Sequence, residues 1–178
     1  MKQERLLAEV VRVIEGVSAK EIPADAASLV QVAEQIGKSF SVAADEVAIL
    51  TLDDQRKCLQ FIYPEKLKTI GTIPLSSTTA LAARTAREKK AELANNFASV
   101  RHATVFEGVP LGRGEGKMIH KIMSAPLTAE DRVVGVIQIS RKGRNALEAG
   151  PDFSSQDLRM LVAMSKMLGE FVLRLQTS

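Results

Sequence analysis

The apolar positions of the chain change period several times, and each change marks an element. Residues 3 to 15 carry Leu6, Leu7, Val10, Val11, Val13 and Ile14 at helical spacing, with Gly16 as the expected stop. Pro23 keeps Ile22 out of a helix. A second helix is expected from about Asp25 to Phe40, with Leu29, Val32, Ala33 and Ile36 on one face and Gly37 near its end. The pattern then shifts to β-branched runs. "EVAILTL" and "CLQFIY", separated by "DDQRK", read as a hairpin that Pro64 ends. "TIPLS" suits an edge strand, because Pro74 cannot donate to a ladder. Ser76, Ser77 and Thr78 are N-cap candidates for a third helix over about 78–89, with Leu81, Ala82, Ala83 and Ala86 on one side.

Beyond residue 90 the pattern is weakest. One short helix is expected around residues 98–106, and the glycines of "PLGRGEG" imply a mobile tail to that stretch. Two long strands follow, "KMIHKIMSAPL" and "RVVGVIQIS", joined by "TAED", with the basic "RKG" read as the start of a loop. A last helix opens with the capping box Ser154 to Asp157 and runs through Leu158, Leu161, Val162, Leu168, Phe171, Val172 and Leu175, widened by Met160, Met164 and Met167. Hairpins interrupted by helices imply an α+β fold with a central antiparallel sheet. The N- and C-terminal helices have one face of the sheet, and a partner, on which to bury their apolar stripes. Side-chain alternation places Gln138 and Ser140 with Val134 and Val136 on one face of the last strand, and polar groups there need partners.

Composition adds limits. With 178 residues, 46% hydrophobic and 25% charged, the chain suits one compact domain. The net charge of +3 is mild. Although Arg84, Arg87, Lys89 and Lys90 cluster, they lack interleaved aromatics, so no nucleic-acid partner is expected. No apolar run reaches membrane-spanning length, and the N-terminus does not read as a signal peptide. A lone Cys58 excludes an intramolecular disulfide and favours a reducing, cytoplasmic setting. "GRGEGK" is no phosphate loop, because Leu111 stands where the first glycine belongs and Met118 where a magnesium-binding hydroxyl belongs. His102 and His120 are too few to build a structural zinc site with one cysteine; each is instead a polar pocket candidate.

Over about residues 24–176 the chain resembles a GAF domain. The likeness lies in "DEVAILTLDDQRKCLQFIY", "TIPLSSTTALAARTAREKK", "ANNF", "MSAPLTAEDRVVGVIQISRKG" and "FSSQDLRMLVAM". It implies residues 24–178 as the domain proper, with 1–23 as an added amphipathic helix and connector serving dimerisation. It also implies terminal helices on one face of the sheet, a ligand pocket roofed by helix and loop on the other, and a non-enzymatic sensor that binds an unidentified small molecule there and signals through its terminal helices, as a homodimer or to a partner protein. Thr79, Asn95, Asn96, Phe97, His102, Phe106, His120, Gln138 and Ser140 are the expected ligand contacts. No cofactor is implied. Cyclic-nucleotide-binding relatives often carry Asn-Lys and then Phe-x3-Asp-Glu; here Arg141-Lys142 and Leu158 depart from that motif. Two alternatives stand beside the sensor. One is a dimerisation module with a vestigial pocket. The other is a reductase of free methionine sulfoxide, a chemistry that uses resolving cysteines this chain lacks.

Overall fold

A computed structural model describes residues 2–97 and 117–177. The expected short helix at 98–106, the mobile tail expected at "PLGRGEG", and the candidates His102 and Phe106 lie outside the described residues. The helices are α1 (Lys2–Ser18), α2 (Ala26–Ser39), α3 (Leu81–Glu88), α4 (Ala146–Ala149) and α5 (Ser155–Thr177). The strands are β1 (Val47–Asp53), β2 (Cys58–Tyr63), β3 (Thr72–Pro74), β4 (Glu92–Ala94), β5 (Met118–Ala129) and β6 (Arg132–Gly143). They form one six-stranded sheet in the order β3-β2-β1-β6-β5-β4, antiparallel at every pairing. The α+β arrangement expected from the hairpins is the one observed.

The two sheet faces bury separate clusters. On one face Val47, Ile49, Met123, Ala125, Leu127, Ile137 and Ile139 meet α1, α2 and α5 through Val13, Val32, Ile36, Leu161, Leu168 and Phe171. The apolar stripe of α1 is thus spent largely within the chain. On the other face Ala48, Leu50, Leu59, Phe61 and Val136 meet Leu67, Ile73 and the alanines of α3. Beside them lies a smaller group of Leu81, Phe97, Ile119 and Ile122.

Local chemistry sets the boundaries. Asp25 caps α2 through a reciprocal box: its carboxylate accepts from Ser28 N at 3.0 Å, and Ser28 Oγ accepts from Asp25 N at 3.0 Å. The Ser154–Asp157 box expected at the last helix forms as well. Gly16 does not stop α1, which continues to Ser18. It is a packing position instead, since a Cβ there would lie 2.6 Å from Ile22 Cδ1. The carbonyls of Val17 and Ser18 accept from the Arg174 guanidinium at 3.0 Å each, so α5 closes the end of α1.

Several expectations for the second half are corrected. β4 was not expected. At three residues it pairs Glu92 to Ser124 and Ala94 to Ile122 at the sheet edge, a length at which period carries no signal. The β5–β6 loop is shorter than "TAED": Ala129 pairs with Arg132, and Glu130 and Asp131 take φ of 52° and 59°. That is the two-residue turn whose handedness matches strand twist. "RKG" is strand, because Arg141 pairs with Lys121 and Lys142 with Ile119. A register shift between Leu127 and Thr128 inserts one extra residue in β6. Val134 therefore joins the α1/α2/α5 face, not the face of Val136 and Gln138. The helix expected from residue 78 starts at Leu81. Its N-cap residue is Ala80, with Ser77 Oγ accepting from Ala80 N at 3.1 Å instead of a cap from Ser76 or Thr78.

Candidate functional site

On the α3 side of the sheet, β6 presents Val136, Gln138, Ser140 and Lys142 in alternate positions. The apolar members of this face build core, while the polar ones each need a partner. A single 3-10 turn at Ala44–Glu46, just before β1, supplies most of them. Ser140 Oγ donates to Glu46 O at 3.3 Å. Lys142 N donates to Glu46 Oε2 at 2.6 Å and Lys142 Nζ to Asp45 O at 2.6 Å. The other Glu46 oxygen accepts from Ala43 N at 2.9 Å, so this carboxylate holds the turn in place. Asp45 faces Lys66 at 3.9 Å.

Gln138, only 2% exposed, takes its partner from the opposite direction. Its Nε2 donates to Ser124 Oγ at 3.2 Å, and Ser124 Oγ lies 2.7 Å from Thr85 Oγ1 of α3. Thr85 Oγ1 in turn donates to Leu81 O at 2.9 Å. Gln138 Oε1 has no partner among the described residues. Between these groups is a recess of about 10 Å3 bordered by Asp45, Glu46, Ala48, Leu67, Ile119, Ile122, Gln138, Ser140 and Lys142. Apolar walls around a few directed polar groups are found in small-molecule sites, and at about 10 Å3 this recess admits a single polar group.

Burial pushes the Lys142 ammonium down to about 8, against the Asp45 and Glu46 carboxylates that favour its charge, with Lys66 adding to the lowering. In the unfolded chain the group titrates near 10.5. Between those values the unfolded state binds more protons than the folded state, so stability rises with pH across that window. Below pH 8 the cost of the buried charge is fully present. Urea unfolding at pH 7.5 and pH 10 should show the wild type gaining about 1–3 kcal/mol more than Lys142→Met over this interval. An equal response of the two proteins would contradict the burial of that charge.

The remaining sequence candidates are placed as follows. Phe97 is buried with Leu81, Ile119 and Ile122, beside the recess. Asn95 is a clamp between β4 and the start of α5: its Nδ2 donates to Phe153 O at 3.0 Å, and its Oδ1 accepts from Phe153 N at 2.9 Å. Asn95→Ala should cost about 1–2 kcal/mol, the scale of two net hydrogen bonds, and should speed amide exchange at Phe153; hydrogen exchange by NMR checks both. Asn96 and Thr79 are exposed. His120 is half-buried at a register shift in β5, with Nε2 3.0 Å from Gly143 O. Gln138 and Ser140 are the candidates that border the recess.

Sequence reasoning missed Asp45, Glu46, Ser124, Thr85 and Lys142. The pairing of Ser124 with Gln138 depends on both the turn at Glu130-Asp131 and the extra β6 residue at the Leu127/Thr128 register shift; the turn alone would have set Ser124 opposite Ile137. Of the basic cluster, Arg84 pairs with Glu92 at 2.9 Å, and Arg87 donates to the carbonyls of Leu75 and Ser77. Cys58 is buried at the start of β2. Its neighbour Leu59 packs on the α3 side, so alternation turns the thiol away from the recess. Among the described residues no group of three or more His, Cys, Asp or Glu is placed to hold a metal, and no helix is long and apolar enough to cross a membrane.

Comparison with known proteins supports this architecture. The sequence profile of the GAF domain matches residues 25–170. Curated protein sequences give no match. Among solved structures, the GAF domain of a phosphoenolpyruvate-protein phosphotransferase from Coxiella burnetii superposes with a TM-score of 0.71 at 12% identity, covering 99% of this chain and 98% of that one. The corresponding Acinetobacter domain gives a TM-score of 0.68 at 14% identity, covering 97% and 96%. The free methionine-R-sulfoxide reductase of Neisseria meningitidis, solved with its substrate, gives 0.66 at 13% identity, covering 99% and 93%. At such identities these likenesses establish the fold.

Proposed function

This chain belongs to the GAF domain family, and from that premise we propose that it is a non-enzymatic sensor that binds a small molecule in the α3-side recess. The observation that carries the reading is the composition of that recess: Ile119, Ile122 and Leu67 beside Gln138, Ser140 and Lys142, on a sheet face otherwise given to core. The position of Cys58, on the far face, speaks against a thiol-based reductase.

β6 gives the sensor a direct route outward. Gln138 and Ser140 point to the recess. Ile137 and Ile139, which alternate with them, pack into the cluster of the terminal helices. Arg141 donates to Phe40 O at 3.0 Å and Ser41 O at 3.2 Å beyond the end of α2, and stacks 4.6 Å from the Phe153 ring ahead of α5. A ligand that shifts β6 thus acts on α2 and α5, provided it binds the two positions of β6 with different affinity. Two copies then pair through the outer sides of the terminal helices, where Val162 is 36% exposed. Sedimentation as a monomer at micromolar concentration would contradict the pairing.

The sensor reading is tested by a thermal-shift screen of nucleotides, amino acids and other metabolites. A compound at one hundred times its dissociation constant adds about 2.7 kcal/mol, a rise of about 5–10 °C for a domain of this size. A full panel without a shift would overturn the reading.

A further inference from the structure

We propose that the ligand presents a hydrogen-bond donor, a hydroxyl or amino group, to Gln138 Oε1; the inference rests on the α3-side recess being the ligand site. The polarity of the buried network requires it. Leu81 O can only accept, so Thr85 Oγ1 donates to it at 2.9 Å. With its proton committed, Thr85 must accept across the 2.7 Å contact from Ser124 Oγ. Ser124, having given its proton to Thr85, can only accept from Gln138 at 3.2 Å. The donor there is Nε2. Turning the amide over would place Oε1 against an oxygen with no proton left to share. The three contacts together fix the orientation that a single one would leave ambiguous.

The outcome is one acceptor with no partner among the described residues, on a side chain 2% exposed. The recess borders Gln138 but neither Ser124 nor Thr85, which places it on the Oε1 side of the amide. Its volume, about 10 Å3, is that of one non-hydrogen atom. Ile119, Ile122 and Ala48 line it with carbon. It accommodates one terminal O–H or N–H, with the remainder of such a molecule outside the recess on the side of Ile119, which is 8% exposed while Ile122 is fully buried. An ether or ketone oxygen in the same place faces Oε1 with a second acceptor and leaves both unpaired.

Three probes with one carbon skeleton separate the cases: isobutanol, isobutylamine, and isobutyl methyl ether, which accepts but does not donate. Each is titrated into the isotope-labelled full chain and followed by NMR at the Ile119 and Ile122 methyls and the Gln138 side-chain amide. The alcohol or the amine should bind at least about tenfold more tightly than the ether, and the stronger of the two identifies the donor. In Gln138→Met, and independently in Gln138→Leu, the preferred probe should fall to the level of the ether, while the ether is unchanged. Equal binding of ether and alcohol in the wild type would overturn the donor requirement and leave the sensor reading standing. Absence of any binding at these methyls would overturn both.

Discussion

Gly169→Ala should lower the stability of the protein by about 3 kcal/mol or more, although alanine is the better helix former. The helix-propensity gain is at most about 1 kcal/mol. Opposing it is a clash with backbone: a Cβ at position 169 would lie 1.9 Å from Thr128 O, 2.5 Å from its carbonyl carbon and 2.8 Å from its nitrogen. No rotamer change relieves a contact with a strand, so α5 must lift from β5. Leu161, Leu168, Phe171 and Val172, all at most 1% exposed, move with it. Overpacking of this kind sits at or beyond the upper end of the usual 1–3 kcal/mol, roughly. The expected fall in Tm is about 6–12 °C. Thermal unfolding of the variant at or above the wild-type Tm would mean that α5 does not lie on β5 at that distance.

Gly135→Ala should have a comparable effect, about 2–3 kcal/mol, with a second consequence at the recess. Here the added Cβ would stand 2.1 Å from Leu50 O, in the segment where β6 pairs with β1 through Gly135 to Thr51 and Val136 to Leu50. Separating those strands disturbs the register that points Gln138 and Ser140 to the α3 side. The variant should therefore lose stability and bind any ligand found for the wild type more weakly. Normal affinity in a destabilised variant would uncouple the bulge from the site.

Most of the fold was legible because its elements are long and strictly periodic. Helix α2 announced itself through Val32, Ala33 and Ile36, and α5 through its capping box and a stripe from Leu161 to Val172. The first hairpin was bracketed by polar residues and Pro64. What escaped was set by contacts distant in sequence. Gly16 resembled a terminator until Ile22 was seen to fold back on it. β4 is too short to have a period. Val134 broke the alternation of β6 because a bulge, decided by packing against β5, turned it to the other face. The site divides in the same way. Gln138 and Ser140 were readable as polar residues on a buried strand. Ser124, Thr85 and the turn at Asp45-Glu46 required knowing which strand and helix lie opposite. Asn95 is a pocket residue only by family resemblance, and its amide is engaged by the backbone of Phe153.

The most direct test of the recess as ligand site is methyl NMR, with a compound that raises the Tm in the metabolite screen. The Ile119 and Ile122 methyls lie on the α3 side, and those of Ile137 and Ile139 on the side of α1, α2 and α5. The expected result is large shifts at Ile119 and Ile122 from the first additions, accompanied by the Gln138 side-chain amide, with smaller changes across the sheet. Shifts concentrated at Ile137 and Ile139, with Ile119 and Ile122 unmoved, would contradict it.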